Sequence, residues 1–277
     1  MKKQIFLTTL ISLLLNANIL LAYVPEPKPQ KKKNNTPLLQ TNGIADKPSL
    51  QSLIKKISSK INYKSLEKKF IENPEKLSHQ IIPYDLNDDG KQCGVIAVTL
   101  LDASENEVWS VLNDWRAFGP HMPNLDYYKT IKVVQKADRF KNKKSLIEGK
   151  ISPAFFTMHY TLEVEFDKKN KALNWHMLNE KEINKYNKKF GKNLVREECS
   201  FLEAIEGSGS LKPYTFKIGD RTVTKTLYYY SPVVEVSTIP MPYFIKKKLT
   251  VSGTEEFLEA LKKLVSIKKE KSKKKNI

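Results

Sequence analysis

The stretch CGVIAVTLLDAS, residues 93–104, reads as a strand with no watery face. Val95, Ala97 and Thr99 fall on one side, and Ile96, Val98 and Leu100 on the other. Strand side chains alternate between faces, so this strand is apolar on both and is predicted to be covered on both. Ser104-x-x-Glu107 then forms a capping box. Val108, Val111, Leu112 and Trp115 follow at helical spacing until Gly119-Pro120 stops the helix. A second short helix or loop runs through HMPNLD.

Strands follow. YKTIKVVQKA and KKSLIEGKI make a first pair, and FFTMHYTLEVEF and ALNWHML flank the turn DKKN. With Asp167–Asn170 as the loop, Phe166 opposes Lys171, Val164 opposes Leu173, Leu162 opposes Trp175 and Tyr160 opposes Met177. That register puts the large apolar residues on one face, with Thr161, Glu163, Asn174 and His176 on the other; a one-residue slip would ruin it. Residues 180–205 are highly charged and carry no clear period. GSGSLKPYTF and RTVTKTLYYYSP form a last hairpin joined by Lys217-Ile218-Gly219-Asp220. A long helix runs from about Pro242 to Ile267, with Ile245, Leu249, Gly253, Phe257, Leu261 and Leu264 as its stripe.

The ends differ in composition. Met1–Ala22 has the short basic region, apolar run and small cleavage-site residue of a secretory signal peptide. Residues 23–50 are rich in Pro, Lys and Asn and read as a disordered linker. Residues 51–80 hold one or two short amphipathic helices, which dock on the main domain or lie on a membrane. The main domain spans 81–267, and 268–277 is a basic tail, KKEKSKKKNI. Export implies an oxidising compartment, a periplasm of Gram-negative type. Cys93 and Cys199 are then candidates for one disulfide, or are two separate buried thiols. The 48 Lys and Arg against 30 Asp and Glu give a net charge of +18. With an export signal this favours anionic lipid head groups over nucleic acid as the charged partner.

Strand, short helices, antiparallel strands and a long last helix, in that order, resemble the helix-grip fold of the StAR-related lipid-transfer (START-like, SRPBCC) superfamily. The match is to its polyketide cyclase/dehydrase and lipid-transport branch, which includes coenzyme Q-binding proteins. It rests on AVTLLDASENEVWSVLNDWRAFGPHMPNLDYYKTIKV, on GSGSLKP and the Thr-rich strand after it, and on PMPYFIKKKL leading into the last helix. The resemblance implies an α+β fold: a curved antiparallel sheet of about seven strands wrapped around the C-terminal helix, with two short helices after the first strand. It also implies an apolar cavity between sheet and helix. The candidate wall comprises Tyr160, Leu162, Trp175 and Met177, with Tyr228 and Tyr230, or Leu227 and Tyr229 in the other register. Phe156 and Met158 extend it along the strand, and Trp115, Phe118 and Met122 form the candidate rim. Leu249, Gly253 and Phe257 are the candidate helix side, where a glycine that costs about 1 kcal/mol relative to alanine would leave room for a ligand. The expected occupant is a lipid, a quinone or a similar hydrophobic molecule; no cofactor is implied.

Other motifs are weaker. Ile239, Met241, Tyr243 and Phe244 beside Lys246, Lys247 and Lys248 suit contact with an anionic membrane surface, or form a buried loop followed by a solvated lysine turn. DLNDDG begins like a calcium loop, but its twelfth position is Ile96 rather than Glu, so an ordinary polar turn is expected. His159, His176 and Glu163 share a polar sheet face and read as surface rather than a metal site. No G-x-S-x-G or phosphate-binding glycine loop occurs. Catalysis would rest on His121 with Asp114 or Asp126, and a non-enzymatic binding protein is the expected reading. A cyclase or hydrolase, or an interaction module with a filled core, are the alternatives.

Overall fold

The computed structural model describes residues 60–85, 92–138, 141–152, 157–191, 194, 202–236 and 242–275. In chain order these form helix α1 (Tyr63–Glu72) and strands β1 (Ser78–Asp85) and β2 (Gln92–Leu101). Helix α2 (Glu105–Leu112) and a 3₁₀ turn (Trp115–His121) follow, then β3 (Leu125–Gln135), β4 (Lys143–Ile151), β5 (Met158–Asp167) and β6 (Ala172–Met177). Helix α3 (Glu180–Phe190), β7 (Leu202–Ile218), β8 (Arg221–Val236) and α4 (Tyr243–Lys275) complete the chain. Eight antiparallel strands make one sheet in the order β1-β2-β8-β7-β6-β5-β4-β3. With α4 packed across one face, this is the helix-grip arrangement, α+β as expected.

β2 is buried at every position. Ala97 and Leu101 pack with Leu258, Leu261 and Val265 of α4, which defines the inner face. Ile96, Val98 and Leu100 pack outward with Leu66 and Phe70 of α1, Phe216 and Leu227. The double cover read from the sequence is thus α4 on one side and α1 on the other, and α1 is docked. A second outer cover is α3, whose Ile183 packs with Leu146 and Leu178. This helix fills part of the charged stretch that had no clear period. It buries little beyond Ile183, and its ends are set by an Asn179–Glu182 capping box and by Gly191 at φ 59°.

The sheet has one strand more than the seven expected. β1 is an edge strand, and Pro83 within it pairs with Val95. Proline is tolerated there because an edge strand has an unpaired side, but in sequence it breaks the strand pattern. α2 ends at Leu112, short of Trp115, because the Asn113 side chain donates to the Trp109 carbonyl (2.8 Å); Gly119-Pro120 lies inside the 3₁₀ turn.

Two hairpins close at a different place from that expected. Phe166 opposes Leu173, Val164 opposes Trp175 and Leu162 opposes Met177, and the strands close at Asp167 and Ala172. Asp167 sets that turn by accepting from the Asn170 backbone (3.0 Å) and side chain (2.7 Å). The register therefore differs from the expected one by two residues, which keeps every side chain on its expected face. The last hairpin pairs Ile218 with Arg221 around Gly219-Asp220 alone, with Gly219 at φ 57°.

α4 is longer than expected: its 33 residues take in most of the basic tail. Lys269 donates to Asp102 on the turn after β2 (2.8 Å), holding that extension against the domain.

Candidate functional site

The inner face is built from aromatic rings lying over strand glycines. Gly207 and Gly209 of β7 leave bare backbone: a Cβ at Gly207 would stand 2.4 Å from Trp175, and one at Gly209 2.6 Å from the Tyr228 hydroxyl. Trp175 leans in from β6 and Tyr228 from β8, on either side of β7. Gly149 does the same for Tyr128 and Tyr160, with approaches of 2.8 Å. This is why the strand reads GSGS.

The rings form a connected set. Trp115 meets Tyr128 at 5.0 Å and Trp175 at 6.4 Å, both edge-on. Trp175 stacks on Tyr230 at 5.4 Å, and Tyr230 on Phe257 of α4 at 4.4 Å. Phe257 in turn stacks on Phe118 at 5.1 Å. Such pairs contribute about 0.5–1.5 kcal/mol each beyond burial. The set also carries polar tips. The Tyr128 and Tyr160 hydroxyls bond each other at 3.3 Å. The Tyr228 hydroxyl is buried without a hydrogen-bond partner. Burial pushes the phenols of Tyr128, Tyr160, Tyr228 and Tyr230 above their ordinary range, so all four are neutral donors at physiological pH.

Most of the candidate wall is brought together here. Phe118, Tyr160, Leu162, Trp175, Met177 and Tyr228 lie in the inner cluster, and Trp115, Met122, Met158, Tyr230 and Phe257 pack against it. The register left open resolves to Tyr228 and Tyr230 inward, with Leu227 and Tyr229 outward. Phe156 lies outside the described residues. Leu249 and Gly253 do not join: Leu249 is 44 % exposed, and a Cβ on Gly253 would meet nothing within 4 Å. The reason is geometric. Steps of four residues turn a helix 400°, so Ile245, Leu249 and Gly253 precess away from the face that carries Leu258, Leu261 and Val265.

The membrane candidates divide as well. Ile239 and Met241 lie outside the described residues. Phe244 is 61 % exposed, Lys247 and Lys248 are exposed, and Tyr243 is half-buried. Lys246 is buried, against the expectation of a surface lysine. Cys93 is a free, buried thiol within reach of Thr250 and Tyr243, and burial raises its pKa; Cys199 lies outside the described residues. The two sheet histidines serve separate pairs. His159 bonds Glu148 at 2.7 Å, and His176 bonds Glu182 at 3.1 Å. Asp126 accepts from Ser152 (2.8 Å), and Asp114 pairs with Arg116 (3.2 Å). His121 sits on the 3₁₀ turn with its Nδ1 buried and unpartnered.

Two features were missed in the sequence. Tyr128 joins the rings, but the bulge between Leu125 and Tyr127 hides which of the two tyrosines faces inward. Glu256 of α4 accepts from Asn124 (3.2 Å), and burial raises its carboxyl pKa. That pair joins residues far apart in sequence, and no local pattern marks it.

No family model matches the sequence, and no curated protein does. Among solved structures, the chain is similar to a START superfamily protein from Mycobacterium smegmatis, at 15 % identity and a TM-score of 0.43, over 62 % of this chain and 97 % of that one. It is similar to a STAR-related lipid transfer protein from Xanthomonas axonopodis at 14 % identity and a TM-score of 0.44, over 68 % and 93 % of the two chains. The Zhui aromatase/cyclase from a Streptomyces species gives 10 % and 0.41, over 63 % and 94 %. The likeness is one of fold alone.

Proposed function

We propose that this chain is an exported, non-enzymatic carrier that holds a lipid or another hydrophobic ligand between α4 and the inner face of the sheet. The observation that carries the reading is the Tyr228 hydroxyl, buried without a partner inside an aromatic wall. Leaving a buried hydroxyl unsatisfied costs about 1–3 kcal/mol, and ordinary cores avoid it. A binding face is mostly apolar with a few polar groups directed at the ligand, and this wall has that composition.

Binding is driven by transfer of the ligand from water, at about 0.8 kcal/mol for each CH₂ buried. α4 supports a way in. Its second half is fixed by Leu258, Leu261 and Val265, while Phe244 and Leu249 in its first half are exposed. Opening of that first half is the step proposed to admit the ligand. Phe244 and Leu249 beside Lys247 and Lys248 suit an anionic membrane as the place of uptake. The signal-peptide pattern of Met1–Ala22 supports the periplasm as the compartment of this exchange.

The test is native mass spectrometry of protein purified without denaturation, followed by solvent extraction. One co-purifying hydrophobic molecule is the expected result. Bare protein that also takes up no added apolar ligand would sink the reading. A second reading, a cyclase-type enzyme, is favoured by the His121 Nδ1 without a partner and by the raised Glu256 carboxyl, which would act as base and acid. It requires the recovered ligand to be chemically altered on incubation, and His121→Gln to stop that change.

A further inference from the structure

Some inner-face hydroxyl hydrogens find no acceptor within the chain, those of Ser145 and Tyr228 among them. The threonines of this face are spent: Thr99 donates to the Ser78 carbonyl (2.9 Å), Thr226 to Ala103 (2.7 Å) and Thr254 to Thr250 (2.8 Å). The phenols are not. Tyr128 and Tyr160 hold two hydroxyl hydrogens and share one bond, so one hydrogen is left over. Tyr228, at 0 % exposure, has its hydroxyl over Gly209 with no partner at all.

Charge is placed elsewhere. Among the described residues the two buried charged side chains are Glu163 and Lys246. Glu163 faces outward and pairs with Lys144 (3.1 Å) and Tyr186. Lys246 is on the first turn of α4, eleven residues before Phe257, about 16 Å along the helix axis. A carboxylate set beside Tyr228 would therefore lose its water without gaining a buried lysine or arginine, an unfavourable exchange. A neutral oxygen would lose less, and would accept the unplaced hydrogen.

Resting on the carrier reading above, we infer that the inner face selects a neutral hydrophobic ligand bearing an acceptor oxygen, such as an ester, ketone or quinone carbonyl, with Tyr228 as the specificity-determining donor. Free fatty-acid anions and plain hydrocarbons are discriminated against, the first for their charge and the second for lacking an acceptor.

The experiment uses the full chain, loaded with the fluorescent probe N-phenyl-1-naphthylamine. Dodecane, methyl dodecanoate and sodium dodecanoate at neutral pH compete for it. Methyl dodecanoate is expected to displace the probe at concentrations about three- to tenfold below dodecane, the range of one neutral hydrogen bond, with dodecanoate the weakest of the three. In Tyr228→Phe the ester and the alkane should become equal, with alkane displacement unchanged. Tyr84→Phe, on the outer face and away from the wall, should keep the ester preference and so serves as the control for fold. Dodecanoate competing as well as the ester, or an ester preference that survives in Tyr228→Phe, overturns the inference. If none of the three displaces the probe, the carrier reading itself falls, and the inference with it.

Discussion

The two faces of the sheet are both lined with tyrosines, and they treat the hydroxyls differently. On the outer face every phenol has a partner. Tyr63 bonds Tyr229 (3.1 Å), Tyr84 bonds Ser231 (3.4 Å) and Tyr127 donates to Glu148 (2.6 Å). Tyr186 donates to Glu163, and Tyr214 to Glu67. On the inner face one pair of phenols bonds to itself and Tyr228 bonds nothing. Among the described residues the other buried side-chain polar atoms without a partner are His121 Nδ1, on the 3₁₀ turn, and Ser145 Oγ, opposite inner-face Val164. The outer face is closed chemistry: α1 and α3 are tied down by satisfied polar bonds. The inner face is open chemistry, which fits a surface made for something that is not part of the chain.

Mutations can break this contrast, and the largest expected effect is on the closed side. Phe70→Ala removes a ring held edge-on against Phe216 and should cost about 3–5 kcal/mol in urea unfolding. Next comes the paired comparison. Tyr186→Phe takes the donor from buried Glu163 and should cost about 1–3 kcal/mol. Tyr228→Phe removes a hydroxyl that has no bond to lose, so it should leave stability unchanged or raise it. Equal losses in the two variants would erase the distinction between the faces.

A smaller effect is expected from pH. Burial lowers the His176 pKa, but the bond and charge of Glu182 outweigh it and leave a net rise. The stabilisation is then fully present below the free-histidine pKa of about 6.5 and is lost as pH rises through the raised value. Because the pair is partly exposed it is worth at most about 1 kcal/mol. Amide exchange should therefore speed up in α3 on going from acid to mildly alkaline pH, after correction for intrinsic rates. The inner strands should not change, and His176→Gln should abolish the effect. Smallest of all, Leu249→Ala should change stability by under about 0.5 kcal/mol, since the side chain is exposed. Its effect should instead be seen as weaker sedimentation with vesicles containing anionic lipid.

Much of this was legible in the chain itself. The two apolar faces of β2 announced two covers, and alternation in β5 and β6 assigned the inner wall even though the register moved by two residues. Periodicity survives such an error because a strand repeats every second residue. It failed on α4, where a four-residue repeat was read as a single face although each step turns the helix a further 40°. It failed on β1, where proline interrupts the pattern, and on α3, which buries Ile183 and little else. The rim pair Asn124–Glu256 had no local signal, because its members are 132 residues apart.

Which residues are apolar, where they alternate and where the chain must turn are written along the chain. Those properties are local, and they were enough to give every strand but β1, the Ser104–Glu107 capping box, the long helix and the inner wall of Tyr160, Leu162, Trp175 and Met177. Which polar atoms are satisfied is settled only when the elements pack together. A phenol is a donor in any sequence; whether its proton has a partner depends on strands that meet from distant parts of the chain. Tyr228 lies over Gly209 because β7 and β8 pair in one register, and the burial that removes water from its hydroxyl comes from the packed sheet and helix, which no stretch of sequence contains.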